Sequence, residues 1–189
     1  MFGFFKKKKK KEERHYDPTR IKITDIRKGW YLDYDFQTWE IVEEFEYDWG
    51  NNDFSYEFQL ENGTGGRYFL ALDEDDGLSC TLFTKLRFSK FPNADEIVNS
   101  VNRTKRPPRQ LTVEGVRYYR ESEELGYFRN IKDEKFQEMI VWEYWDDSEK
   151  KVLNVEQWGD DSFEISVGFE VPEQVFSNIT PANRDHYDL

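Results

Sequence analysis

The stretch Tyr56-Glu57-Phe58 has a close counterpart later in the chain, Trp142-Glu143-Tyr144. An Asp-Asp pair follows each triplet at nearly the same distance, Asp75-Asp76 after the first and Asp160-Asp161 after the second. Self-similarity over such a long period indicates a chain built from two copies of one structural unit.

Alternating apolar and polar residues predict that each copy consists of β-strands. From Phe163 to Phe169 every second residue is apolar, as in an antiparallel strand with one buried and one solvated face. The run Leu78 to Leu82 takes the corresponding place in the first copy, and each copy continues with a helix-like stretch, Pro92 to Val101 and Pro172 to Ile179. The sequence therefore predicts an all-β to α+β fold. It has two related antiparallel β units of about five strands each, as small barrels or a joint sandwich, and a short helix follows each unit.

The same pattern divides the chain into five segments. Residues 1–18 are predicted to be a basic and aromatic tail, residues 19–104 the first β repeat with its C-terminal helix, and residues 105–110 a linker. Residues 111–180 are predicted to be the second β repeat with its C-terminal helix, and residues 181–189 a second tail. The linker prediction rests on two consecutive prolines, which cannot continue a helix and which stiffen a connection.

Composition bounds the core and the partners. Hydrophobic residues make up only 37% of the chain but aromatic residues 17%, so we expect a core of few, large side chains. Residues 1–14 hold seven basic and two acidic residues, a net charge of +5, which leaves −17 for the rest of a chain whose total is −12. A body this acidic repels phosphate backbones and argues against nucleic-acid binding. The single cysteine, Cys80, permits no intrachain disulfide, in agreement with the cytoplasmic location that we predict.

Several aromatic motifs resemble those of the domain of unknown function 4178 family, and the resemblance extends over residues 21–180. It implies an uncharacterised bacterial protein, and it carries over no catalytic residue. The motifs are Gly29-Trp30, residues 38–42, residues 56–60 with Phe69-Leu70, Trp142-Glu143-Tyr144, residues 153–156 and residues 164–168.

Histidine and cysteine chemistry has little support in this sequence. Both histidines, His15 and His186, fall in the predicted tails, so a Ser-His-Asp or Cys-His site lacks its base and a zinc site lacks its ligands. The glycine-rich residues 63–66 lie between two predicted strands and lack the Gly-Lys-Ser/Thr of a phosphate loop. We therefore predict neither a metal nor a cofactor.

Carboxylates and tryptophans supply the candidate ligand-binding residues. Glu57 and Glu143, equivalent in the repeat, can pair for acid–base work, and the Asp-Asp turns either bind a hard cation or are solvated turns. Trp49 and Trp158 each precede a glycine in a turn, where an exposed indole binds a sugar, a cation or a partner protein, unless it packs in the core. The candidates are Glu57, Glu143, Asp75, Asp76, Asp160, Asp161, Trp49 and Trp158.

The N-terminal residues carry a membrane-binding pattern, because aromatic side chains enter a lipid interface and lysines sit on anionic headgroups. A solubilising tail is the alternative reading. The residues predicted to contact a membrane are Phe2, Phe4, Phe5, Lys6, Lys7, Lys8, Lys9, Lys10 and Lys11.

These features favour a non-enzymatic adaptor or binding module with an unidentified protein partner, peripheral to the cytoplasmic face of a membrane. The alternative is a carboxylate-dependent enzyme or a small-ligand or cation-binding domain. In the alternative, Glu57 and Glu143 lie in one pocket and the pKa of at least one is far from about 4; in an adaptor, the acids are spread over a solvated surface.

Overall fold

The computed structural model describes residues 15–74, 77–160 and 162–182, which form eleven antiparallel strands and one α-helix, α1 (Ala94–Thr104). The strands are β1 (Tyr31–Tyr34), β2 (Gln37–Gly50), β3 (Asp53–Asn62), β4 (Arg67–Asp73), β5 (Ser79–Leu86), β6 (Gln110–Val113), β7 (Val116–Asn130), β8 (Gln137–Asp146), β9 (Lys151–Trp158), β10 (Ser162–Glu170) and β11 (Ser177–Thr180).

Eight of the strands close into a barrel. The hydrogen-bonded order runs β2-β3-β4-β5-β10-β9-β8-β7, and a pairing between β7 and β2 completes the circle. The remaining strands extend the sheet outside the circle: β1 pairs with β2, β11 pairs with β1, and β6 pairs with β7. The two long strands change partner along their length: β2 pairs with β1 near Trp39 and with β7 from Phe45 to Asp48. A β-bulge between Ile41 and Glu43 bends β2 between these two parts.

The predicted architecture of two five-stranded units, each followed by a helix, is wrong. Strand β5 pairs with β10 from Thr81 to Leu86, and β2 pairs with β7, so both halves of the chain contribute to one barrel. The physical reason is that each half alone would expose two strand edges with unpaired backbone groups, which pairing with the other half satisfies. Sequence periodicity reveals the strands, but it does not reveal which strands of the two halves pair with each other.

The second predicted helix, from Pro172 to Ile179, is also wrong. Only Glu173–Val175 form a single 3-10 turn, and the chain then enters β11 beside β1. Phe176 is buried in the core, which draws the backbone back into an extended path. The first predicted helix exists as α1, which buries Ile97 and Val101 one turn apart and ends at Lys105 in the left-handed conformation.

The two largest hydrophobic clusters lie on the outer face of the barrel wall. One is covered by the chain before β1 together with Phe176, and it contains Phe58 and Leu60 of β3. The other is covered by α1 and β6, and it contains Trp142 and Tyr144 of β8. Because side chains alternate along a strand, the residues of β3 and β8 that alternate with these buried apolar side chains point into the barrel. None of the helices in the described ranges has the length and apolar character needed to cross a bilayer.

The β2–β7 seam is the shortest of the eight that close the barrel, with four residue pairs, and ion pairs reinforce it. Arg129 of β7 binds Glu46 of β2, with Arg129 Nε 2.6 Å from Glu46 Oε2, and its guanidinium lies 4.4 Å from the Phe136 ring centroid.

We expect Arg129→Met to lower the free energy of unfolding by about 1–3 kcal/mol, since it leaves a half-buried carboxylate unpaired. Urea unfolding measures this, with the exposed Arg117→Met on the same strand as the control. Equal losses in the two variants would contradict a specific role for the seam ion pair.

Candidate functional site

Alternate residues of β3, β4, β5, β8 and β9 line a cavity of about 420 Å³ inside the barrel. The placement follows directly from strand alternation. The central glutamates of the two sequence triplets, Glu57 and Glu143, point inward between aromatic neighbours that pack on the outer clusters. The volume falls in the range of small-molecule sites, roughly 300–1,000 Å³.

The lining of this cavity is acidic. None of the described lysines, arginines or histidines contributes to it, so its electrostatic potential is negative. The acidic lining residues are Asp53, Glu57, Asp73, Glu124, Glu143, Glu156 and Glu170.

Two of these acids, Glu57 and Glu156, form an inner acid pair. They are only 7% and 6% exposed, and each has one oxygen, Glu57 Oε1 and Glu156 Oε2, without a hydrogen-bond partner among the described residues. Burial raises the pKa of both carboxyl groups, that of Glu156 to about 8, and the nearby Glu57 raises the pKa of Glu156 further. The Tyr47 hydroxyl lowers the pKa of Glu57 and the Trp158 indole lowers that of Glu156, but burial outweighs both, and burial also holds the Tyr47 pKa well above its usual range. At neutral pH, therefore, the proton of Glu156 stays on the carboxyl group.

A lysine beside the inner acid pair partly offsets the rise in the pKa of both carboxyl groups. Lys85 Nζ lies 2.9 Å from Glu164 Oε2 and 4.7 Å from the Phe69 ring centroid. Its charge lowers the pKa of Glu57 and of Glu156, although burial outweighs it at both. Lys85 is thus already bound to Glu164, and it does not line the cavity.

The other five acids form a mouth cluster, defined as Asp53, Asp73, Glu124, Glu143 and Glu170. Four of them are exposed and Glu143 is half-buried, so the cavity meets solvent at this end. Burial raises the pKa of Glu143 and of Glu124, and the neighbouring acids of the cluster raise both further. The Trp145 indole donates a 2.7 Å hydrogen bond to Glu143 Oε1, which partly stabilises its charged form.

Aromatic rings form much of the remaining wall. The Trp49 ring stacks on Tyr47 with centroids 5.4 Å apart, and its indole nitrogen donates a 2.9 Å hydrogen bond to Ser55 Oγ. Its ring lies so close to Gly126 that a Cβ there would be 2.6 Å from a ring carbon. The absence of a side chain at Gly126 therefore lets the indole pack against the barrel wall, where it lines the cavity.

Of the eight residues that the sequence analysis proposed for ligand binding, the structure brings three together at the cavity: Glu57, Glu143 and Trp49. Trp158 packs against Phe128, with ring centroids 4.9 Å apart, and is not part of the lining. Asp160 lies exposed in the turn after β9, where its backbone oxygen accepts a 3.0 Å hydrogen bond from Gln157. Outside the described residues lie Asp75, Asp76, Asp161, Phe2, Phe4, Phe5 and Lys6 to Lys11.

Sequence reasoning missed Glu156, Glu124, Glu170 and the inward face of β9. The available signal was the alternation of Leu153 and Val155 with polar residues in β9. From the sequence alone, such a polar face is interpreted as solvent-exposed, because only the closed barrel shows that it faces the interior. Within the described ranges, no group of histidine, cysteine, aspartate and glutamate side chains is arranged to hold a metal ion.

Comparison with known families identifies one match. The model of the family described as Domain of unknown function (DUF4178) matches residues 27–173, which confirms the family resemblance found in the aromatic motifs. No curated protein and no solved structure matches the chain.

Proposed function

The chain belongs to the DUF4178 family, and we propose that this member is a small-molecule-binding domain whose ligand occupies the cavity inside the barrel. The observation that carries the proposal is the pair of buried oxygens, Glu57 Oε1 and Glu156 Oε2, which have no partner in the described residues. An unsatisfied buried polar group costs about 1–3 kcal/mol, and more if charged. Groups of this kind concentrate at functional sites, where a ligand supplies the missing bond.

The arrangement of the acids favours a binding domain over an adaptor surface. Glu57 and Glu143 line one cavity, and the pKa of both is raised, which is the arrangement expected of a ligand-binding or enzymatic site. Cys80 is buried in the outer hydrophobic cluster, and burial raises its pKa to about 11, so it is a structural thiol. Binding is therefore the function that the cavity supports best. The membrane contact and the protein partner predicted from the N-terminal residues concern a segment outside the described ranges and stay predictions.

Fragment screening by NMR tests the proposal on the full-length chain. Three compound classes are titrated into ¹⁵N-labelled protein: carboxylic acids, neutral polyols and primary amines. We expect at least one class to shift resonances of lining residues such as Thr81 and Asn154, while Glu40, an exposed residue of β2 that does not line the cavity, stays unaffected. Binding confined to the outer surface, or no binding by any class, would overturn the proposal.

A further inference from the structure

We propose that the ligand of the barrel cavity is a linear organic cation with two ammonium groups, one bound by the inner acid pair and the other by the mouth cluster. The inference rests on the proposed function, since it names the chemical class that the same cavity takes.

The first argument is the charge of the lining. A neutral ligand would leave the acids of the mouth cluster to repel one another, and an anionic ligand would add to that repulsion. The acidic lining alone would not define a site, but the oxygens at its base are a separate observation. Glu57 and Glu156 are more than nine-tenths buried, line the cavity and each offer an unpartnered acceptor. An ammonium group carries three donors and no acceptor, so it complements these oxygens.

Asn154 strengthens this match. Its side-chain oxygen is buried without a partner in the described residues, and the residue lines the cavity. In register it lies opposite Glu143 of β8, while Glu156, two residues further along β9, points the same way. On the neighbouring strands β9 and β8, Glu156, Asn154 and Glu143 thus provide adjacent oxygen acceptors that connect the inner acid pair with the mouth cluster.

The aromatic wall selects an organic cation over a metal ion. Tyr47, Trp49, Phe83 and Trp145 line the cavity, and a methylene chain packs against such rings while ammonium groups bind the ring faces. A divalent metal ion would gain nothing from these rings, and the described acids are not arranged as a metal site. Aromatic rings between two groups of acids therefore fit a chain with a charge at each end.

Isothermal titration calorimetry of the full-length protein at pH 8 and constant ionic strength tests the proposal. The probes are α,ω-diamines from 1,3-diaminopropane to 1,8-diaminooctane, each matched with the monoamine of equal carbon number, together with 1,4-butanediol. We expect one diamine length to bind best, at least tenfold more tightly than its monoamine, and no binding of the diol. Glu57→Gln and Glu156→Gln are each expected to weaken binding of that diamine tenfold or more, while Glu40→Gln, at an exposed position of β2 that does not line the cavity, leaves it unchanged. Circular dichroism verifies that each variant is folded.

The outcomes separate this inference from the proposed function. Equal affinity for the diamine and its monoamine would overturn the assignment of two ammonium positions. Binding of the diol or of a carboxylic acid in the cavity, without binding of any amine, would overturn the cation assignment and leave a small-molecule site. If no probe of any class enters the cavity, the proposed function fails as well.

Discussion

Glu156→Gln is expected to stabilise the protein by a few kcal/mol at pH 9 and to change its stability little at pH 5. The folded protein holds the proton of Glu156 up to a pKa of about 8, whereas the unfolded chain releases it near the ordinary glutamate pKa of 4.5. Between these values the folded state binds more protons than the unfolded state, so stability falls as pH rises. The cost of burying the ionised carboxylate is the cause of this loss, and the glutamine side chain removes it by placing a neutral amide at the same position.

Thermal unfolding of wild type and Glu156→Gln between pH 5 and pH 9 measures this difference. We expect the melting temperatures to coincide at pH 5 and the variant to be higher by about 5–10 °C at pH 9. Glu40→Gln serves as the control, because it removes an exposed carboxylate of β2 that does not line the cavity, and we expect it to keep the wild-type pH dependence. A parallel pH dependence in Glu156→Gln and wild type would show that Glu156 ionises normally in the folded protein.

Gly168→Val is expected to lower the free energy of unfolding by about 3 kcal/mol or more. Gly168 of β10 pairs with Phe83 of β5, and a Cβ at this position would lie 2.6 Å from the phenyl ring and 2.9 Å from the Leu82 carbonyl oxygen. The ring is only 6% exposed and the carbonyl oxygen is backbone, so the strand itself must shift. The β5–β10 seam joins the two halves of the chain, and a shift there weakens the barrel as a whole.

Two companion variants make the glycine prediction specific. Gly63 lies in the hairpin between β3 and β4, where a Cβ would meet nothing within 4 Å. We therefore expect Gly63→Ala to leave the free energy of unfolding unchanged. Gly168→Ala combined with Phe83→Leu is expected to be more stable than Gly168→Ala alone, because the second change removes the ring that the new methyl group meets. Urea unfolding gives both comparisons. Wild-type stability of Gly168→Val would contradict the close packing of this seam.

The local part of the fold could be predicted from the sequence, and the closure could not. Alternation from Phe163 to Phe169 correctly indicates β10, and the helix-like stretch from Pro92 to Val101 correctly indicates α1. Thr84 of β5 pairs with Val167 of β10 across the two halves of the chain. Because these residues lie far apart in the sequence, no local pattern encodes their pairing. The same limit explains the second helix, since the pairing of β11 with β1 outweighs the local helical signal after Pro172.

The site was partly predictable for the same reason. Glu57 and Glu143 stand out because an acid flanked by aromatics occurs in both halves, and both line the cavity. Glu156 stands out only when the polar face of β9 is known to be the inside of a barrel. Its raised pKa then follows from burial, a property of the closed fold.

The most direct test of the central claim, that the inner acid pair binds an ammonium group, is an NMR titration of the Glu156 carboxyl carbon with and without the best-binding diamine. Comparison with Glu156→Gln assigns the resonance. Without ligand we predict a pKa of about 8 for Glu156, and with saturating diamine a lower pKa, because the bound ammonium group stabilises the carboxylate. A pKa near 4.5 that the diamine leaves unchanged would contradict the account.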